Sequence, residues 1–329
     1  MQLSLNLVKR LLLAIASVAA SAGLLYWVAG LQTISEAAGL LLRADPLLLL
    51  PSLLLMWVAF GFASERFRCV TEVMKISSGG RFAAFYLINL FTMFAAVVAP
   101  IGLAADVLRA GMLPLVLRAS PWRSVSAVLQ DKALGVIGVM AIGTPLLLLQ
   151  LAFDVTPLYV AVQAAAFGAV VGITIGLQVA APRLSPGRSL FRQFLGFLQD
   201  FSTQLSTAVR VLKQAGLAGG SILCVGLLLW CLGLAVGLSD GSALLMVSIA
   251  PAIYLAQAMP FTYAGWGARE AVAIFLLGEL PGIELSNAVA LSFAFGAVFT
   301  VASLPGALAP LLLASYRGRW LQHQETKEE

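Results

Sequence analysis

Apolar residues in this chain come in long continuous blocks, at roughly 11–30, 46–63, 82–99, 124–150, 157–180, 217–238, 242–259 and 287–314. A helix needs ~20 residues to cross ~30 Å of hydrocarbon, and several blocks reach that length. A transmembrane barrel would read instead as short segments of alternating polarity. Continuous apolar runs satisfy their backbone groups in lipid only as helices. The pattern predicts an all-α polytopic membrane protein. Two further segments, at about 101–117 and 261–278, are apolar but broken by Gly, Pro and charge. They follow Pro100 and Pro260 and are too interrupted for ordinary spans.

Charge decides how those two segments are used. If neither enters the membrane, three spans separate the basic stretch at 64–81 (Arg66, Arg68, Lys75, Arg81) from the basic stretch at 181–216 (Arg183, Arg188, Arg192, Arg210, Lys213). The two then face opposite sides, against the rule that basic loops are cytoplasmic. If 82–118 is a hairpin that enters and leaves on the cytoplasmic side, and 242–280 a hairpin on the outer side, about 16 of the 20 Lys and Arg become cytoplasmic. Only Arg43 then falls outside, while Arg109, Lys132 and Arg269 lie in or near the membrane. This arrangement counts eight spans, with the two re-entrant hairpins (or broken helices) included. It divides into two repeats of opposite topology, an inverted 4+4-type plan. The first, 1–150, holds spans 11–30 and 46–63, hairpin 82–118 and span 124–150. The second, 151–329, holds spans 157–180 and 217–238, hairpin 242–280 and span 287–314, with an amphipathic cytoplasmic helix over 188–213. The repeat rests on topology and on the two Pro-Gly breaks rather than on residue identity. Both termini are expected in the cytoplasm of a bacterial inner membrane. The run after Lys9-Arg10 could end as a signal peptide at Ala20-Ser21-Ala22, but it continues through Leu24–Val28, which favours an uncleaved first span.

Composition agrees with this plan. Only 11% of residues are charged, against about 25% in soluble domains. The net charge of +5 follows from the basic loops and does not point to nucleic acid. The single histidine, His323, lies in a polar tail, so neither a zinc site nor a Ser-His or Cys-His pair is available. Cys224 and Cys231 share one apolar span and Cys69 lies in the basic stretch, so no disulfide framework is implied. No cofactor is expected. Gly168, Gly172 and Gly176 form a small-residue stripe that close helix packing explains.

Charges at membrane depth are costly and mark candidate sites. Three clusters qualify: Pro100-Ile-Gly102-Leu-Ala-Ala-Asp106-Val-Leu-Arg109, Asp131-Lys132, and Pro260-Phe-Thr-Tyr-Ala-Gly265-Trp-Gly267-Ala-Arg269-Glu270. In the first and third, Pro breaks the helix and Gly permits close approach of a ligand. The half-helix that follows presents free N–H groups and a dipole that favours an anion, and the Arg can bind phosphate bidentately. The alternative for each is structural. Asp106–Arg109 and Arg269–Glu270 would pin hairpins, and Asp131-Lys132 would sit at a helix end near water.

The Pro260–Glu270 string, and Gly102–Arg109 followed by Ser126-Ala-Val and Asp131-Lys132, resemble the two shared stretches of the lysylphosphatidylglycerol synthase transmembrane-region (YbhN-like) family over nearly the whole chain. The resemblance implies a lipid-translocating module. In bifunctional members a separate soluble domain makes the lipid; the stretch after Tyr316 is too short for one, so synthase activity is not expected. The leading expectation is therefore a non-enzymatic flippase for a phosphate-bearing envelope lipid: a phospholipid, a glycolipid or a polyprenyl-phosphate carrier. Arg109 and Arg269 would contact phosphate, while Asp106 and Glu270 orient them or bind a proton. The partners would be membrane lipids with anionic head groups; a homo-oligomer is allowed and nucleic acid is not. The competing readings are a scaffold for envelope-lipid or polysaccharide synthesis and an intramembrane lipid-modifying enzyme.

Overall fold

The computed structural model describes residues 33–76, 81–98, 104–117, 119–150, 189–238, 243–257, 268–277 and 283–314, with isolated positions before residue 33. Every regular element among them is helical. In chain order these are α1 (Thr33–Leu42), α2 (Pro46–Val73), α3 (Phe82–Val98), α4 (Ala104–Leu117), α5 (Pro121–Gln150), α6 (Ser189–Gln204), α7 (Ala208–Ala235), α8 (Ala243–Gln257), α9 (Ala268–Leu277) and α10 (Leu285–Ser303). A 3-10 turn, Leu304–Leu308, carries α10 on to Ala314. Among the described residues three helices, Pro46–Val73, Ala208–Ala235 and Leu285–Ala314, are long and apolar enough to cross a membrane. At 1.5 Å per residue each is about 42 Å or more in length. The expected first span, the span at 157–180 with its glycine stripe, and the breaks at Pro100, Gly102, Pro260, Gly265 and Gly267 lie outside the described residues.

The elements pack as two compact units that interleave along the chain. One is built from Met1–Phe60, Leu87–Arg109 and Ile222–Glu329, the other from Gly61–Tyr86 and Ala110–Ser221. The repeats expected at 1–150 and 151–329 would divide the chain by topology, whereas these units divide it by packing.

In the first unit, Asp45 caps α2: its carboxylate accepts from the Leu47 amide at 2.9 Å, directly before Pro46 at the first helical position. The Trp57 indole N–H donates to the Ala302 carbonyl at 3.0 Å. Phe60 meets Phe299 edge-on at 5.8 Å, and the buried Asn89 amide donates to the Phe60 carbonyl at 3.2 Å. Backbones approach closely at two glycines. A Cβ on Gly226 would lie 2.4 Å from the Val247 Cα, and one on Gly306 would lie 2.1 Å from the Leu90 carbonyl oxygen. Small residues at such crossings are how helices associate in lipid, where apolar burial alone gives no drive.

The second unit has a core of Phe67, Val70, Met74, Phe85, Leu113, Ala127, Val128, Leu134 and Phe201. The stretch 64–73, expected to be loop, is the last part of α2. Its charges are neutralised locally, which lets the helix continue past the apolar block. Arg68 bonds Glu65 one turn back at 2.6 and 2.7 Å and also bonds Glu72. The helix closes at Lys75 in the left-handed region, φ 53°, with the Ile76 amide donating to the Thr71 carbonyl at 2.9 Å, as in a Schellman ending.

The amphipathic stretch 188–213, expected as one helix, is two: α6 ends at Gln204 and α7 begins at Ala208. The Thr207 hydroxyl accepts from the Arg210 amide, a start signal for α7. Arg210 also reaches back to the Thr203 carbonyl at 2.9 Å and the Ser206 hydroxyl at 3.0 Å, so a cation serves the C-terminal end of α6. Leu198 and Phe201 of α6 are buried, so this part of its apolar face is covered by protein rather than laid on lipid.

Candidate functional site

The Arg269–Glu270 pair stands in the first turn of α9, where a carboxylate favours the helix dipole. Both side chains are buried, at 1% and 0% exposure. The Arg269 Nη2 donates to Glu270 Oε1 at 2.6 Å, and its Nε donates to the same oxygen at 3.1 Å. Ser292 of α10 closes a ring. Its hydroxyl donates to Glu270 Oε1 at 3.1 Å and accepts from Arg269 Nε at 3.3 Å. The Phe295 ring lies 5.3 Å from the guanidinium carbon, within cation–π range. Ser292 and Phe295 are three apart on one helix and so share a face. This is a charged, hydrogen-bonded knot enclosed by apolar helices.

Asp106 and Arg109 lie near the start of α4, also three apart. Arg109 is buried and Asp106 half-buried.

The Asp131-Lys132 cluster belongs to the other unit and separates into its two members. Asp131 is buried and paired with Arg66 of α2, Nε–Oδ1 2.9 Å and Nη2–Oδ2 3.3 Å, a two-pronged contact. Lys132, the next residue, is exposed. Gly135 makes room for the pair: a Cβ there would sit 2.7 Å from an Arg66 nitrogen. Beside it, Gln204 of α6 donates to the Val70 carbonyl and to Gln130 Oε1, both at 3.2 Å, and Gln130 donates to the Ser126 hydroxyl at 3.3 Å. Asp200 on α6 has its carboxyl pushed up by burial, an effect that the positive charge of Arg123 partly offsets.

Sequence reasoning chose Asp131, Arg269 and Glu270 but missed Arg66, Ser292 and Phe295. Arg66 belongs to the stretch expected as loop, which is the end of α2. For Ser292 a signal existed, a hydroxyl inside the apolar run Ala288–Ala294.

Buried charge pairs on apolar helices, with three membrane-length helices among the described residues, are the setting in which a membrane family assignment carries weight. The model of the lysylphosphatidylglycerol synthase TM region matches residues 14–306. The chain belongs to this family. No curated protein matches it significantly. Membership in the lysylphosphatidylglycerol synthase TM-region family puts the chain in a membrane and gives it a membrane-lipid-related role. The match takes in α1 through the start of the 3-10 turn, and so includes the Arg269 ring and the Arg66–Asp131 pair.

Proposed function

We propose that the chain is a lipid flippase. It moves a phosphate-bearing envelope lipid across the bacterial inner membrane without chemical change to the lipid and without a cofactor. The observation that carries this reading is the buried Arg269–Glu270–Ser292 ring. A guanidinium held in an apolar setting is expensive, and its planar fork matches phosphate. In this reading the head group visits Arg269 while the acyl or prenyl tails stay in the bilayer, and Asp106 and Arg109 line the same path. The two hairpins alternate in opening it, as opposed broken helices do in inverted-repeat transporters. Arg66–Asp131 has a different task, the internal bracing of its own unit. Family membership supports the lipid part of the reading, and the buried ring supports the phosphate part.

The test is translocation of fluorescent phosphatidylglycerol in proteoliposomes, beside a phosphate-free diacyl lipid. The protein should accelerate the first and leave the second at the protein-free rate. Equal rates for both would remove phosphate recognition from the mechanism. A new lipid product detected by mass spectrometry would replace the flippase with an enzyme.

A further inference from the structure

We infer that Glu270 is a resident counter-anion, which the phosphate of the lipid must displace from Arg269. Ser292 and Phe295 hold the two halves of the exchange in place. The inference rests on the head-group reading above and says how that site admits its ligand.

The geometry of the pair argues for exchange. Arg269 and Glu270 are consecutive, and consecutive helix positions do not face each other. Their side chains meet through a single carboxylate oxygen, Oε1, which takes both guanidinium contacts, at 3.1 and 2.6 Å. The Arg66–Asp131 pair, by contrast, uses both carboxylate oxygens across two helices. A phosphate offers the Arg269 fork two oxygens in parallel, a better-matched partner than one oxygen of an adjacent side chain. Glu270 is thus a displaceable anion, while Asp131 is a fixed one.

The surroundings serve the same exchange. The Phe295 ring at 5.3 Å holds the guanidinium without using any of its N–H groups. The Ser292 hydroxyl, donating to Glu270 at 3.1 Å, stays with the carboxylate when the arginine leaves it. At 1% exposure, a guanidinium that gives up its carboxylate is strongly unfavourable unless another anion takes that place. Release of Glu270 and arrival of phosphate are therefore one step. A head group without an anion cannot open the ring, so the counter-anion acts as a filter on the substrate class.

The test is binding of dioctanoyl phosphatidylglycerol to the full-length purified protein, with dioctanoylglycerol as the phosphate-free probe. Glu270→Gln removes the competing charge and should bind the phosphate probe about tenfold tighter. Glu270→Asp keeps the charge but withdraws it by one methylene, and should fall between wild type and Gln. Translocation by Glu270→Gln should be slower, because no carboxylate returns to expel the phosphate. Unchanged affinity in Glu270→Asp, and in Glu270→Gln where it folds, overturns the inference. So does equal tightening for dioctanoylglycerol, which would mean a loosened helix pair rather than a lost competitor. Arg269→Gln separates the two levels. If it abolishes binding while both Glu270 variants bind as wild type, only the counter-anion role fails. If it binds as wild type, the head-group site fails with it.

Discussion

At the residue scale, the buried pairs Arg66–Asp131 and Arg269–Glu270 differ in kind. Arg66–Asp131 joins α2 to α5 through two oxygens, packs against Gly135, and lies beside the Gln204–Gln130–Ser126 chain. Truncating one member of such a pair strands a buried charge, at a cost of roughly 3–5 kcal/mol, whereas replacing both by apolar groups is often neutral. Asp131→Ala should therefore destabilise the protein by that amount, and Arg66→Met/Asp131→Leu should recover most of it; unfolding in detergent measures both. A double variant no more stable than Asp131→Ala would give the pair another role. The burial cost of charge made Asp131, Arg269 and Glu270 legible in the sequence. Their neighbours were not legible, because Arg66 lies 65 residues from Asp131 and Ser292 lies 22 from Glu270. Only the fold brings them together.

Helices were legible wherever an apolar block had a clear end. The block at 82–99 is α3, Phe82–Val98, and that at 242–259 is α8, Ala243–Gln257. Boundaries failed where charge was neutralised or a polar cap intervened. Hydropathy ends α2 near residue 63, but Glu65, Arg68 and Glu72 pair along one helix face and carry it to Val73. Periodicity runs 188–213 together as one helix, but Thr207 and Arg210 divide it. The docking of α6 makes the element-scale prediction. Burial pushes the Asp200 carboxyl above its ordinary range, so the folded protein binds this proton more readily than the unfolded chain does. Asp200 therefore lowers stability as pH rises through its folded pKa. Asp200→Asn should raise the melting temperature at neutral pH, and the gain should shrink as pH falls toward about 4. A gain that is constant across that range, or absent, would contradict the burial of Asp200.

At the scale of the whole molecule, composition and apolar blocks suffice to read a helical membrane protein, and the match over residues 14–306 gives its family. The interleaving of the two compact units is a property of contacts between distant segments, and no pattern along the chain reports it. The opposed hairpins are an expectation from charge distribution and from the Pro-Gly breaks along the chain. The central claim is that the Arg269–Glu270 pair serves lipid movement rather than merely holding α9 against α10. The direct measurement is phosphatidylglycerol translocation by Arg269→Met/Glu270→Leu in proteoliposomes, with thermal unfolding of the same preparation and Lys213→Ala as the exposed-charge control. Apolar side chains of similar volume replace the pair without stranding a buried charge, so the double variant should fold. The double variant should be folded and translocate at the protein-free rate, while Lys213→Ala translocates as wild type. A folded double variant with wild-type translocation would contradict the central claim.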